Sequence, residues 1–106
     1  MVTRLTKEQL SKHIRRAKVG AKKDGNWLPS KPSWLENEFK KVILLIELDI
    51  MCLNAIDKER DIYILLDRLY GKKTYIEIGN KYGLRAEKAL QIIYTKCVRP
   101  IIISTR

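Results

Sequence analysis

Apolar residues recur at helical spacing along most of this chain, and no segment alternates convincingly between apolar and polar positions. The first such segment, TKEQLSKHIRRAKVG, opens with a T-x-x-Q capping pattern and then places apolar residues three and four positions apart. We therefore predict a short helix over about residues 7–18. The stretch that follows, GAKKDGNWLPSKPSW, holds two glycines and two prolines and predicts a loop.

The richest apolar segment, SWLENEFKKVILLIELDIMCLNAI, begins with an S-x-x-E capping box at Ser33 and Glu36. Apolar positions cover more than one face of a helix over residues 34–56, so this helix must be covered on several sides. Two interpretations stay open: the helix is the centre of a monomer core, or part of its surface is buried in a homodimer. Charged residues interrupt the segment, which lacks the roughly 20 uninterrupted apolar residues of a membrane span.

A further amphipathic helix is predicted for DKERDIYILLDRLYG, with Asp61, Asp67 and Arg68 on its outer face and Gly71 at its end. Two shorter helices follow, separated by Gly83, and Pro100 is expected to stop the last one. The final IIIST is expected to be a short β-prone tail at most. The sequence thus predicts a small all-α chain of about five helices, with a basic helix and long loop over residues 1–33 and a helical core over residues 34–106.

Within YIEIGNKYGLRAEKALQII, the sizes of the residues fit a corner between two crossing helices. A helix-turn-helix needs an apolar and then a very small residue in its first helix, and a glycine that enters the left-handed conformation at the turn. An apolar residue then plugs the corner, and the second helix buries positions about five and eight residues further on. This order is met by Ile78, Gly79, Gly83, Leu84, Ala89 and Ile92. It predicts a helix-turn-helix over residues 74–98.

The charge of the chain indicates a polyanionic partner. Lys and Arg number 22 against 12 acidic residues, which gives a formal net charge of +10. The charge is uneven: residues 1–32 carry +7, residues 33–57 carry −3 and residues 58–106 carry +6. Nucleic acid is the first expectation for the partner and an anionic membrane surface the second.

The sequence shows little sign of metal binding or catalysis. One histidine and two widely separated cysteines give no zinc-binding set, so no metal or other cofactor is expected. Neither a nucleophile–base pair nor a glycine-rich phosphate loop is apparent, so enzyme activity is not expected. The charged start without an apolar region argues against a signal peptide, and a cytoplasmic, reduced, soluble protein is expected.

The segment TYIEIGNKYGLRAEKALQI resembles region four of bacterial sigma factors, whose usual pattern is T-L-E-E-I-G-x-x-L-G-V-T-R-E-R-V-R-Q-I. Matching positions are Thr74, Glu77, Ile78, Gly79, Gly83, Glu87, Gln91 and Ile92. The preceding ERDIYILLDRLYG is similar to the family's helix in the order of its Glu-Arg, Leu, Arg and aromatic-Gly residues, here Glu59, Arg60, Leu66, Arg68, Tyr70 and Gly71. The similarity covers about residues 58–99. Many phage and plasmid regulators carry the same sigma-like domain, and this short chain resembles those.

The resemblance implies that a helix over about residues 85–97 enters the major groove and reads base edges. Glu87 would accept from a cytosine amine and Gln91 would pair with adenine. Ala86 and Leu90 replace an arginine and a polar residue of the family, and Leu90 would touch a thymine methyl or face protein instead. Lys73, Thr74, Arg85 and Lys88 would lie near phosphates. The implied DNA face comprises Lys73, Thr74, Arg85, Ala86, Glu87, Lys88, Leu90 and Gln91.

Five further basic residues lie within nine positions near the amino terminus: Arg15, Arg16, Lys18, Lys22 and Lys23. Because flexible glycines follow, we expect this segment to act as an arm that follows the DNA backbone or enters a minor groove. The alternative is a solvated basic face.

The leading hypothesis is therefore a regulator of transcription or replication from a bacterium, phage or plasmid, which binds double-stranded DNA as a homodimer. A second hypothesis is a sigma-like protein-interaction module that docks on RNA polymerase without reading DNA. A third is a helical dimer whose basic tails bind RNA.

Overall fold

A computed structural model describes residues 5–19 and 33–104, and within these ranges the chain forms six α-helices and no strand. The helices are α1 (Lys7–Val19), α2 (Ser33–Leu48), α3 (Glu59–Leu69), α4 (Tyr75–Tyr82), α5 (Ala86–Ile92) and α6 (Arg99–Ser104). A 3-10 segment (Ile50–Ala55) follows α2, and a π-helical segment (Ile93–Val98) joins α5 to α6. The prediction of an all-α fold is confirmed, with six α-helices where about five were expected.

The amino-terminal helix α1 is part of the same packed unit as the rest. Its predicted capping pattern forms: the Thr6 hydroxyl accepts from the Gln9 N–H at 3.2 Å, and the Gln9 side chain accepts from the Thr6 N–H at 2.9 Å. Leu10 is fully buried in the core, and Asn54 donates to the Leu5 carbonyl at 3.1 Å. These contacts hold α1 against α3 and the 3-10 segment.

The predicted apolar helix over residues 34–56 is interrupted, because α2 ends at Leu48. Asp49 adopts an extended conformation (φ −154°, ψ 103°), and its carboxylate accepts from the Met51 N–H at 3.0 Å. An aspartate that bonds the backbone two residues on offers an alternative to the helical ladder, which accounts for the break. In the part of the chain that the structure describes, no helix has both the length and the apolar character needed to cross a membrane.

The central helix α3 departs most from its predicted pattern. Asp61, Asp67 and Arg68 were expected on its outer face, yet all three side chains are buried. The prediction was wrong because α3 is packed on several sides, by α1, by α4 and by the π-helical segment. Buried charges require polar partners. Asp67 obtains them from Lys81 and Tyr82, which are 14 and 15 residues away, whereas the partner of Arg68 is the nearby Lys73 carbonyl.

Residues 99–104 are helical, contrary to two predictions. Pro100 lies inside α6 and does not stop the helix. The preceding turn is π-helical, with the Arg99 N–H donating to the Tyr94 carbonyl, and such a wider turn relieves the clash and the missing donor that proline brings to an α-helix. The described part of the expected β-prone tail, residues 101–104, is helical because Ile101 is fully buried, and packing outweighs local strand preference.

Candidate nucleic-acid interface

The corner between α4 and α5 has the geometry that the glycine spacing predicts. Three residues (83–85) connect the two helices, a connection length typical of a helix-turn-helix. Gly83 adopts the left-handed conformation (φ 71°, ψ 34°), and its N–H bonds to the Gly79 carbonyl. The Leu84 N–H also donates to that carbonyl, at 2.7 Å. The end of α4 is therefore closed by backbone hydrogen bonds that turn the chain into α5.

Close approach of the two helices depends on Gly79. A Cβ at this position would collide with the Leu84 carbonyl oxygen and would lie 3.2 Å from the Leu84 carbonyl carbon. Because those atoms belong to the backbone, they cannot move aside without opening the corner. Ile78, Ala89 and Ile92 are buried beside this contact, as predicted.

The first turn of α4 is fixed by a reciprocal cap. The Thr74 hydroxyl oxygen accepts from the Glu77 N–H, and the Glu77 carboxylate accepts from the Thr74 N–H, both at 3.1 Å. Thr74 was predicted to contact a phosphate but not to form this cap, although the T-x-x-E spacing is its usual signal. The two roles are compatible, since the Thr74 O–H remains a donor. Lys73, immediately before the cap, is half-buried.

Four of the predicted DNA-contacting residues form an exposed row along α5 and its start: Arg85, Glu87, Lys88 and Gln91. Glu87 and Gln91 are one helical turn apart, so their side chains lie on the same face. Ala86 and Leu90, which the sequence analysis placed on the same DNA face, are half-buried and pack against the core. The structure thus separates the polar members of the predicted interface from its two apolar members.

The basic residues near the amino terminus fall into two groups. Arg15, Arg16 and Lys18 are exposed on α1, which is docked on the core and is not an independent arm over this range. Lys18 places its ammonium 5.3 Å from the centre of the Tyr70 ring, a cation–π contact. Lys22 and Lys23 lie outside the described residues.

A buried polar cluster centred on Asp67 connects α1, α3 and α4, and sequence patterns gave no sign of it. The Asp67 carboxylate accepts from the Lys81 ammonium and the Tyr82 hydroxyl, each at 2.8 Å, and His13 Nε2 lies 3.7 Å away. His13 also packs against the Tyr63 ring. Burial by itself would raise the pKa of the Asp67 carboxyl, but its contacts with His13, Lys81 and Tyr82 lower that pKa to about 2. The cluster therefore contains a carboxylate that stays ionised and holds α4 to α3.

The depressed pKa of Asp67 predicts acid-dependent stability. Its pKa of about 2 lies below the ordinary value of 3.8, so the folded state releases this proton more readily than the unfolded state. The resulting stabilisation is complete above about pH 5 and is lost progressively as the pH falls through 4 towards 2, by about 2 kcal/mol in total. Urea unfolding of the wild type and of Asp67→Asn between pH 5 and pH 2 measures it. The stability difference between the two should shrink on acidification; a constant difference would contradict the assignment.

The two cysteines are structural. Cys97 is buried, its thiol donates to the Asp61 carbonyl at 3.3 Å, and burial raises its pKa well above the ordinary range. Burial, with a smaller contribution from Asp49, raises the pKa of Cys52 to about 11. Both thiols are therefore protonated at neutral pH and are weak nucleophiles and ligands. Among residues 5–19 and 33–104, no group of three or more His, Cys, Asp or Glu side chains is arranged to hold a metal ion.

The described residues define a class of protein by fold alone: a small all-α chain with two helices joined by a tight glycine corner. No family model, curated protein or solved structure matches this chain. The resemblance to sigma region four stays a prediction from the sequence.

Proposed function

We propose that this chain is a sequence-specific DNA-binding regulator of transcription or replication. In this proposal it is encoded by a bacterium, a phage or a plasmid, and it acts in the bacterial cytoplasm. In this proposal α5 enters the major groove and α4 supports it across the backbone. The observation that carries the proposal is the exposed row of Arg85, Glu87, Lys88 and Gln91 on a helix held by the Gly79–Gly83 corner. The net charge of +10 supports a polyanionic partner.

The four exposed polar residues on α5 and at its start have different roles in this proposal. Gln91 offers both a donor and an acceptor, which suits the adenine edge, and Glu87 offers an acceptor for the cytosine amine. A carboxylate close to phosphates costs electrostatic energy, so Glu87 is tolerated on a DNA face only where it meets such a donor. Lys88 and Arg85 can neutralise phosphates beside the groove. At the start of α4, Lys73 can neutralise a further phosphate and the Thr74 hydroxyl can donate a hydrogen bond to it.

We further propose that the protein acts as a homodimer through α2 and the 3-10 segment. Leu44 and Leu48 on α2 are 59% and 83% exposed, and Met51 follows them on the surface. Residues 33–57 carry a net charge of −3, whereas both flanking parts are strongly positive. Two copies repel least where this segment forms the contact. Light scattering measures the mass, and a value near the 12.4 kDa of one chain at micromolar concentration would contradict the dimer.

Base reading by α5 is tested with two substitutions, Glu87→Ala and Gln91→Ala. Each should weaken binding to the preferred sequence by about 1–3 kcal/mol and should relax the preference at one base pair. Both side chains are exposed, so the thermal stability should not change. Fluorescence anisotropy with duplexes from the protein's own locus, and with single-base variants of the bound site, gives the affinities.

Lys58→Ala is the matched control, because Lys58 is exposed at the start of α3, away from the corner. It should leave the sequence preference unchanged. Failure of the wild type to bind any duplex at low salt would rule out the DNA-binding function.

A second candidate function is docking on RNA polymerase without DNA reading. Ile76 on α4 favours it, because this large apolar side chain is 66% exposed beside the capped turn, where a protein surface would cover it. Co-purification with polymerase, lost in Ile76→Ser, together with flat DNA titrations, would select this function.

A further inference from the structure

A basic cleft of about 270 Å³ lies between α1, the end of α3 and α4. Arg16 of α1, Lys73 before α4 and Lys81 of α4 line it, with Asp67 and His13 at its wall. Sequence patterns assigned Arg16 and Lys73 to separate parts of the molecule. The fold brings them to one opening.

Two of the three cations of this cleft have no acidic partner in the part of the chain that the structure describes. Lys81 is paired with Asp67, whose carboxylate is occupied by Lys81 and Tyr82 and is approached by His13. Arg16 and Lys73 have no acidic partner within residues 5–19 and 33–104. Three cationic side chains thus share one opening with a single carboxylate. An anion in the cleft would relieve their mutual repulsion.

The size and polarity of the cleft restrict the anion. Its volume is that of roughly nine liquid waters and lies just below the range of about 300–1,000 Å³ typical of small-molecule sites. Ala17 and Gly71 contribute little side-chain bulk to the lining, so the opening stays accessible. Lining side chains are mostly charged, which disfavours an apolar ligand. A single phosphate group fits, because the guanidinium fork of Arg16 matches two of its oxygens and Lys73 adds a point charge.

We propose that this cleft binds a phosphate group and that, in the complex with DNA, the group is a backbone phosphate beside the groove that α5 enters. That the phosphate belongs to DNA rests on the proposed function. That a phosphate group binds in the cleft does not depend on that function. Lys73 directly precedes Thr74, the cap of α4, so the cleft continues the phosphate-contacting start of that helix. The proposal makes α1 a second DNA-contacting element.

The Asp67 cluster gives this cleft its rigidity. Because Leu10 is buried and His13 lies against Asp67 and Tyr63, α1 is held in place before any ligand arrives. A phosphate contact from a docked helix requires less ordering than one from a free arm. Arg16 and Lys73 are therefore expected to contribute to DNA affinity independently of sequence.

The salt dependence of duplex binding tests the proposal. The logarithm of the affinity falls with the logarithm of salt concentration, with a slope of about −0.9 per phosphate neutralised. Because Arg16 and Lys73 share one phosphate, Arg16→Ala and Lys73→Ala should each reduce the magnitude of this slope, by about one when the two are combined, and should weaken binding equally for all duplexes. Lys58→Ala should leave the slope unchanged. Circular dichroism confirms that each variant is folded.

A second arm titrates the full chain with inorganic phosphate and follows the backbone amides of Gly71 and Lys73 by NMR. Duplex binding with the reduced slopes supports the cleft as a DNA phosphate site, and duplex binding with slopes unchanged in both variants overturns that assignment. If the wild type binds no duplex but phosphate shifts these amides, and Arg16→Ala abolishes the shift, the cleft serves a free phosphate ligand and only the DNA function fails. If neither duplex nor phosphate has an effect, the cleft proposal fails as well.

Discussion

Gly79→Val is expected to lower the free energy of unfolding by about 3 kcal/mol or more and to abolish sequence-specific DNA binding. A valine Cβ would collide with the Leu84 carbonyl oxygen, so α4 and α5 must separate. Inserting atoms into a packed contact typically costs about 1–3 kcal/mol, and more where the obstacle is backbone. A domain of this size has a total stability of about 5–15 kcal/mol, so the loss is a large fraction of it.

Separation of the two helices would also move the row on α5 that the proposed function requires. The shift would displace Glu87 and Gln91 relative to Lys73 and Thr74, which are fixed at the start of α4 by its cap. Base and phosphate contacts would then no longer be made together, so affinity should fall even at temperatures where the variant is folded.

Gly83→Ala is the matched control, because the two glycines serve different purposes. A Cβ at Gly83 meets no atom within 4 Å, so its only cost is the left-handed conformation, about 1–2 kcal/mol. Urea unfolding followed by circular dichroism gives the free energies of all three proteins. If Gly79→Val proved no more destabilising than Gly83→Ala, the close crossing of α4 and α5 would be refuted.

The features that the sequence predicted well are those determined by local stereochemistry. The left-handed turn at Gly83 follows from the lack of a Cβ, and the capping of α1 follows from a fixed spacing of donors and acceptors. Helical periodicity likewise predicted the position of α1 to within one residue. These features depend only on residues that are close in sequence, so a sequence pattern is sufficient to predict them.

Two of the missed features, the buried Asp67 cluster and the basic cleft, depend on contacts between distant residues. Helical periodicity places Asp67 on the solvent-facing side of an amphipathic helix. In the folded chain, however, the Lys81 and Tyr82 side chains donate hydrogen bonds to its carboxylate. Pro100 was predicted to end the helix. The π-helical turn that accommodates it has no recognisable sequence pattern, so it could not be predicted. The basic cleft depends on the same long-range placement, and for this reason Arg16 and Lys73 could not be assigned to one site beforehand.

Arg68→Ala is the second prediction with a large expected effect: a loss of about 3–5 kcal/mol in the free energy of unfolding. Arg68 is completely buried, its guanidinium lies 4.1 Å from the centre of the Tyr75 ring, and it donates to the Lys73 carbonyl at 2.6 Å. Truncation would leave a cavity and would remove the hydrogen bond that fixes the chain before α4. Burial lowers the pKa of Arg68, while Tyr75 opposes that shift.

Two further variants separate the contributions. Lys58→Ala at the start of the same helix removes an exposed cationic side chain, and its cost should stay below about 1 kcal/mol. Arg68→Met keeps most of the volume but cannot donate to the Lys73 carbonyl, so it should cost about 1–3 kcal/mol. Thermal and urea unfolding give the order Arg68→Ala, then Arg68→Met, then Lys58→Ala, from most to least destabilising.

The same series links stability to the proposed interface. Because the Arg68 hydrogen bond fixes the backbone at Lys73, its loss in a folded Arg68→Met should allow Lys73 and Thr74 to move away from their phosphates. Duplex affinity should then fall with a reduced salt slope, as for Lys73→Ala, while the preference encoded by Glu87 and Gln91 is retained. A folded Arg68→Met with wild-type affinity and slope would show that the start of α4 is positioned without this buried arginine.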